Sequence, residues 1–303
     1  MEPTQLLIQS FQAAVAAADP LKLLPSQLPP PPSGRTLVIG AGKAAASMAL
    51  AVEQHWPQDA ALEGLVITRY RHGLPTRRIQ VIEAGHPVPD EMGESAAKEI
   101  LKKVGRLAPG DLLLALISGG GSALLSLPVE GVGMQALKAT TKELLRSGVP
   151  IQDMNTVRKH LSAIQGGRLA AACKAPVLAL IISDVTGDDP THIASGPCAP
   201  DPSTYREAIE ILERYRVNTP PVVREHLERG VRGEIQETPK PGDRIFSHVE
   251  NRVIASARQA LRAAQDVFHR HRIQTMNLGD DVTGEASEVG KVYGALARQI
   301  AHH

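Results

Sequence analysis

The segment Ser118-Gly119-Gly120-Gly121-Ser122 follows the apolar run Leu112–Ile117 and precedes another short apolar stretch. A buried strand that ends in a glycine loop and turns into a helix reads this way. Three successive glycines carry no Cβ to keep an anion from their N–H groups. A helix beginning near Ser122 adds its positive end. The spacing therefore predicts a phosphate- or carboxylate-binding loop built from Gly119, Gly120 and Gly121 with the flanking hydroxyls of Ser118 and Ser122.

Four further groups carry chemistry. Gly40-Ala41-Gly42-Lys43-Ala44-Ala45 fits the G-x-G-x-x-A dinucleotide fingerprint between a strand and a helix. That fingerprint needs an acid at the end of the next strand to hold the ribose, and this strand ends in Thr68-Arg69-Tyr70. Arg69 as a partner for a 2′-phosphate keeps NAD(P)H-dependent hydride transfer open as an alternative. Lys43 at a helix start opposes the dipole unless an anion is bound there. In Asn155–Leu169 the neighbouring cations Arg158 and Lys159 ask for an anionic partner, and Gly166-Gly167 permits a break or a close backbone approach. In Ile181–Pro197, Asp184 closes an apolar strand at its carboxyl end, where open α/β sheets bind ligands. Asp184 and Asp188 could hold Mg²⁺ with its waters or accept a proton from a substrate hydroxyl. His86 sits in the turn Gly85-His86-Pro87 after a strand, placed to contact a ligand.

These residues have to be positioned by a scaffold, and 303 residues suffice for two domains. Aromatic residues make up only 3 %, so the core must be built from Ala, Leu, Val and Ile. A net charge of +1 gives no electrostatic case for nucleic acid or an anionic membrane. Two cysteines make no disulfide framework, and with no signal peptide or bilayer-spanning stretch in view a cytoplasmic setting is expected. Continuous apolar strands alternating with helices predict a three-layer α/β/α domain with a mostly parallel sheet. Helices are expected over 4–18, 43–55, 90–106, 133–147, 153–172, 204–215 and 220–229. The stretch 237–243 reads as a linker, which makes residues 1–238 the first domain and 244–303 the beginning of a second, smaller α/β domain.

Five motifs together, GAGKAA (40–45), AGHPVPDE (84–91), LISGGGSALL (116–125), NTVRKHLSAIQGGRLA (155–170) and SDVTGDDPTHIASGP (183–197), resemble the MOFRL-type glycerate kinases. That family phosphorylates glycerate on its 2-hydroxyl with ATP, and some of its members carry the name hydroxypyruvate reductase. The resemblance implies a Rossmann-like first domain facing a smaller α/β domain, with the site in the cleft between them. It implies Lys43 and Asp184 as core active-site residues, an anion-binding SGGGS loop, and Asn251 lining the cleft from the second domain's first strand. ATP, Mg²⁺ and glycerate are the small molecules it implies, and a homodimer is compatible with it. Family members continue into a glycine- and arginine-bearing C-terminal segment, whereas this sequence stops after ARQIAHH; an arginine expected across the cleft has no counterpart here. A binding module that holds an anion or nucleotide without turnover is the remaining alternative. No Walker A pattern is present, so a P-loop kinase is excluded.

Overall fold

The computed structural model describes residues 2–282 and 284–302. Its centre is one sheet of six strands: β1 (Thr36–Ala41), β2 (Leu62–Arg69), β3 (Ile79–Ala84), β4 (Leu112–Ser118), β5 (Val177–Ile182) and β6 (Val249–Ala255). Their order is β3-β2-β1-β4-β5-β6, and every neighbouring pair is parallel. The sequences TLVIGA and LLLALIS are buried along their whole length, as strands covered on both faces must be. Successive side chains alternate between faces. Leu37, Ile39, Leu113 and Ile117 pack with Ala97 and Ile100 of the helix Glu91–Val104 on one side. Val38, Leu114 and Leu116 pack with Met48 and Val52 of the helix Ala45–His55 on the other. These are the three layers expected from the sequence.

The order reverses between β1 and β4, the point at which such sheets open a ligand crevice outside the carboxyl ends of the strands. The two strands run side by side in register, Ala41 opposite Ile117. Their following segments, Gly42-Lys43 and Ser118–Gly121, therefore emerge together.

Four helices, Gly133–Arg146, Ile151–His160, Tyr205–Arg214 and Pro221–Val231, build a lobe with its own core of Leu137, Leu144, Val157, Leu212, Val223 and Leu227. The single helix expected over 153–172 is broken. It ends at His160 and resumes only at Arg168–Ala171, directly after Gly166 and Gly167 in left-handed conformation with φ of +59° and +79°. Their N–H groups then bond to Ser195 O at 2.9 Å and Gly196 O at 2.7 Å.

Two boundaries differ from the sequence reading. Strand β6 does not found a second sheet; it joins β5 as the sixth strand, and the helix Ala257–Arg270 that follows packs on the helix Pro3–Ala16. The stretch 237–243 is not a free linker either. Glu237 accepts hydrogen bonds from Tyr205 N and Lys240 Nζ and lies 3.2 Å from His160 Nε2, while Pro239 O accepts from Asp201 N at 2.8 Å. Burial works against the Glu237 carboxyl, but these partners outweigh it and lower its pKa to about 2.

Lys159, expected to face an anionic ligand, is part of this architecture. Its ammonium lies 2.7 Å from Asp201 Oδ1, with side-chain exposures of 2 % and 0 %. Burial opposes the Asp201 carboxylate, and Lys159 with the Ser203 hydroxyl outweighs it, lowering its pKa. Lys159→Met leaves that carboxylate buried without a cation and should cost about 3–5 kcal/mol in urea unfolding. Adding Asp201→Asn, which keeps an acceptor for Ser203, should recover more than half of the loss; an additive double variant would show that the two groups do not act as a pair.

Candidate active site

A cavity of about 520 Å³ opens at the carboxyl ends of the central strands, lined by His86, Gly120, Ser122 and Asp184 from the sheet side and by Asn155 and Arg158 from the helical lobe. Among the described residues, the cleft lies between the sheet and the helical lobe.

The glycine loop is its floor. A Cβ on Gly119 would lie 2.0 Å from Asp184 Oδ2. One on Gly120, which sits at φ +87°, would lie 2.8 Å from His86 Nε2 and 3.5 Å from Lys43 Cε. The missing side chains leave the space in which Lys43, His86 and Asp184 converge. Lys43 Nζ stands 3.7 Å from Asp184 Oδ2, and both side chains are about half exposed (44 % and 52 %), so the pair is solvated and free to engage a ligand. Burial, reinforced by the positive charges of Lys43 and Arg69, lowers the His86 pKa against the opposing pull of Asp184, so its imidazole is neutral at pH 7. The N–H groups of Gly120 and Gly121 have no hydrogen-bond acceptor among the described residues. The helix after the loop is a single turn, Gly121–Leu124, so the helix dipole expected there is that of one turn only.

Ser118 belongs to the frame and does not face the cavity. Its hydroxyl is buried and accepts from Ala44 N at 3.1 Å, while Gly119 O accepts from Lys43 N at 2.9 Å. A Cβ on Gly42 would meet Ser118 Oγ at 2.1 Å. The β4 loop therefore occupies the start of the helix Ala45–His55, where a dinucleotide pyrophosphate would need free N–H groups. GAGKAA has the spacing of the dinucleotide fingerprint without its anion cradle.

Ser122 does line the cavity. Its hydroxyl lies 2.8 Å from Ser195 Oγ, and its carbonyl accepts from Arg158 Nη2 and Gln165 Nε2, both at 2.9 Å. Asn155 and His192 reach the same space and were not singled out in the sequence. Asn155 stands one helical turn before Arg158, a spacing that places it on the same face. His192 follows the Asp188-Asp189-Pro190 turn, where nothing in the pattern marks it. Ala194, Ser195 and Gly196 run through three successive left-handed conformations (φ 52°, 60° and 59°), a costly backbone whose carbonyls at Ser195 and Gly196 accept from Gly166 N and Gly167 N.

Besides Ser118 and Lys159, two more expected site residues lie elsewhere. Asn251, on β6, donates its side-chain amide to Cys198 O at 2.9 Å and does not line the cavity. Asp188 occupies a left-handed turn position (φ 56°) outside the cavity lining, and its charge adds to those that raise the Arg258 pKa. No three metal-ligating side chains converge among the described residues. Asp184, exposed over the glycine loop, fits a Mg²⁺ that arrives with nucleotide phosphates, since that ion takes one or two carboxylates and fills its other positions with phosphate and water.

The family model described as "Domain of unknown function (DUF4147)" matches residues 6–228, which include the sheet's first five strands and the whole cavity lining. The chain belongs to the DUF4147 family. Among the chain's relatives, a protein of Agrobacterium vitis with the provisional name hydroxypyruvate reductase is 47 % identical over 97 % of this chain and 65 % of its own length. The glycerate 2-kinase of Pyrococcus horikoshii is 43 % identical over 88 % of this chain and 60 % of its own. The crystal structure of a glycerate kinase from Thermotoga maritima superposes with a TM-score of 0.77 at 36 % identity, covering 88 % of this chain and 62 % of that one. The chain spans a little under two thirds of the length of these relatives. It has no helix long and apolar enough to cross a membrane among the described residues.

Proposed function

We propose that this chain carries the ATP-dependent phosphorylation of D-glycerate at its 2-hydroxyl, yielding 2-phosphoglycerate. The observation that carries the reading is the convergence of Lys43, neutral His86 and Asp184 over glycines whose side-chain space they fill. Phosphoryl transfer is mostly positioning plus charge neutralisation. Lys43 supplies a cation for the transferred group, and Gly120 and Gly121 supply backbone donors. Asp184 is a carboxylate without a buried partner, available to accept the proton of the attacking hydroxyl. It is also the residue that would hold a nucleotide-borne Mg²⁺, whose chemistry there is neutralisation of phosphate charge. Similarity to relatives named glycerate 2-kinase supports the substrate, and kinase activity implies ATP.

The blocked helix start at Lys43 and Ala44 weighs against a nicotinamide-dependent reductase. Two assays separate the readings. Incubation with ATP, Mg²⁺ and D-glycerate should give a 2-phosphoglycerate signal in phosphorus NMR, and NADPH fluorescence should stay unchanged on titration with the protein. Oxidation of NADPH by hydroxypyruvate, without phosphoryl transfer to glycerate, would reverse the assignment.

A further inference from the structure

Arg158 lines the cavity as a second cation beside the site of Lys43 and Asp184, and the phosphoryl-transfer machinery above does not use it. Its guanidinium has no carboxylate within 4.0 Å among the described residues, and its one hydrogen bond goes to the Ser122 carbonyl. Burial alone pushes its pKa down to about 10, so it stays charged at pH 7. A guanidinium has five N–H donors in a fork suited to a carboxylate or phosphate. Arg158 is partly buried, and a partly desolvated charge without a counter-charge makes an anionic ligand its natural partner. The next residue, Lys159, is locked to Asp201 in the core, so the Arg158 side chain is held on the cavity side of the helix.

What lies beside it selects the anion. Ser195 has one hydroxyl proton, and it is donated to Asn155 Oδ1 at 3.3 Å. With the Ser195 proton directed at Asn155, Ser122 is the donor in the 2.8 Å contact between the two serines. That leaves the Ser122 oxygen with lone pairs only toward the cavity it lines. An acceptor-only oxygen next to a forked cation disfavours a fully ionised phosphate and suits a ligand with both a carboxylate and a hydroxyl.

We propose that Arg158 binds the carboxylate of the phosphoryl acceptor while Ser122 Oγ accepts a hydrogen bond from one of its hydroxyls. This makes the helical-lobe side of the cavity a hydroxy-acid subsite. The term acceptor rests on the kinase reading; the subsite itself does not. The division leaves Lys43 and Asp184 to the phosphoryl group and gives the substrate carboxylate to a different cation 115 positions along the chain.

Calorimetric titration without nucleotide tests it. The unmodified chain should bind D-glycerate, and Arg158→Met should weaken that binding by about 100-fold. Arg158→Lys, which keeps the charge and loses the fork, should weaken it by about tenfold and serves if the methionine variant does not fold. Binding of glyceramide, the neutral carboxamide, should be nearly the same in the variants and the unmodified chain. Ser122→Ala should erase the preference for D-glycerate over propionate, which has no hydroxyl. Absence of D-glycerate binding, unchanged affinity in the Arg158 variants, or equal losses for glycerate and glyceramide would each overturn the subsite. Because the titration contains no ATP, Arg158-dependent binding here, together with no phosphoryl transfer in the separate assay with ATP and Mg²⁺, would refute the kinase reading and leave the subsite standing.

Discussion

Asp184→Asn is expected to lower kcat for phosphorylation of D-glycerate by about 10³-fold while leaving the thermal midpoint within a few degrees of the parent. The reasoning is local. Asp184 makes one ion pair, to Lys43 at 3.7 Å, and half of its side chain is exposed. Solvated pairs of this kind contribute about 0–1 kcal/mol, so the fold does not depend on it. Asparagine keeps the shape and removes the group that can take up a proton. It also removes the negative charge available to a nucleotide-borne cation. General-base catalysis alone accounts for about 10²–10⁴-fold, and the lost charge acts in the same direction. Steady-state kinetics with D-glycerate and ATP, read beside a thermal melt, decides the matter. A variant that turns over at nearly the parental rate would take Asp184 out of the chemistry. A collapsed melting temperature would recast it as structural.

The sheet was legible because its strands are continuous apolar runs between helices, and only a parallel sheet covered on both faces buries such runs. The site was legible in part for the same reason: GAGK and SGGGS end adjacent strands, so their convergence follows from strand order. What sequence could not show is which of two similar neighbours faces which way. Arg158 and Lys159 have the same charge and adjacent positions, yet successive helical residues point about 100° apart. One therefore enters the cavity and the other the core. The partner that claims Lys159, Asp201, lies 42 residues downstream, and no local pattern marks it. Strand β6 misled for a related reason. VENRVIA looks the same as the last strand of one sheet or the first of another, and only its pairing with β5 distinguishes them. By sequence the glycines of SGGGS offer a route for backbone N–H groups to an anion. Their larger role is to leave room for the side chains of Asp184, His86 and Lys43.

That role separates two Gly→Ala substitutions that look alike in sequence. Gly119→Ala puts a Cβ 2.0 Å from Asp184 Oδ2, a terminal atom of an exposed side chain that can swing into solvent. Gly119 has no positive φ to forbid alanine. The chain should therefore fold with little loss, and the carboxylate should leave its place beside Lys43, with activity down by about 10²-fold or more, since a misplacement of about 1 Å can cost that much. Gly230→Ala puts a Cβ 2.2 Å from the Tyr205 ring. That ring is fully buried, edge-on to His160 at 4.7 Å and His226 at 5.8 Å, and has nowhere to go. Overpacking there should cost at least about 1–3 kcal/mol of stability, while the activity of the molecules that remain folded stays near the parental value. Measuring kcat and the urea midpoint on both variants gives opposite signatures. Full activity in Gly119→Ala would show that Asp184 works from a position other than the one over the glycine loop, and that the convergence of side chains there is incidental to the chemistry.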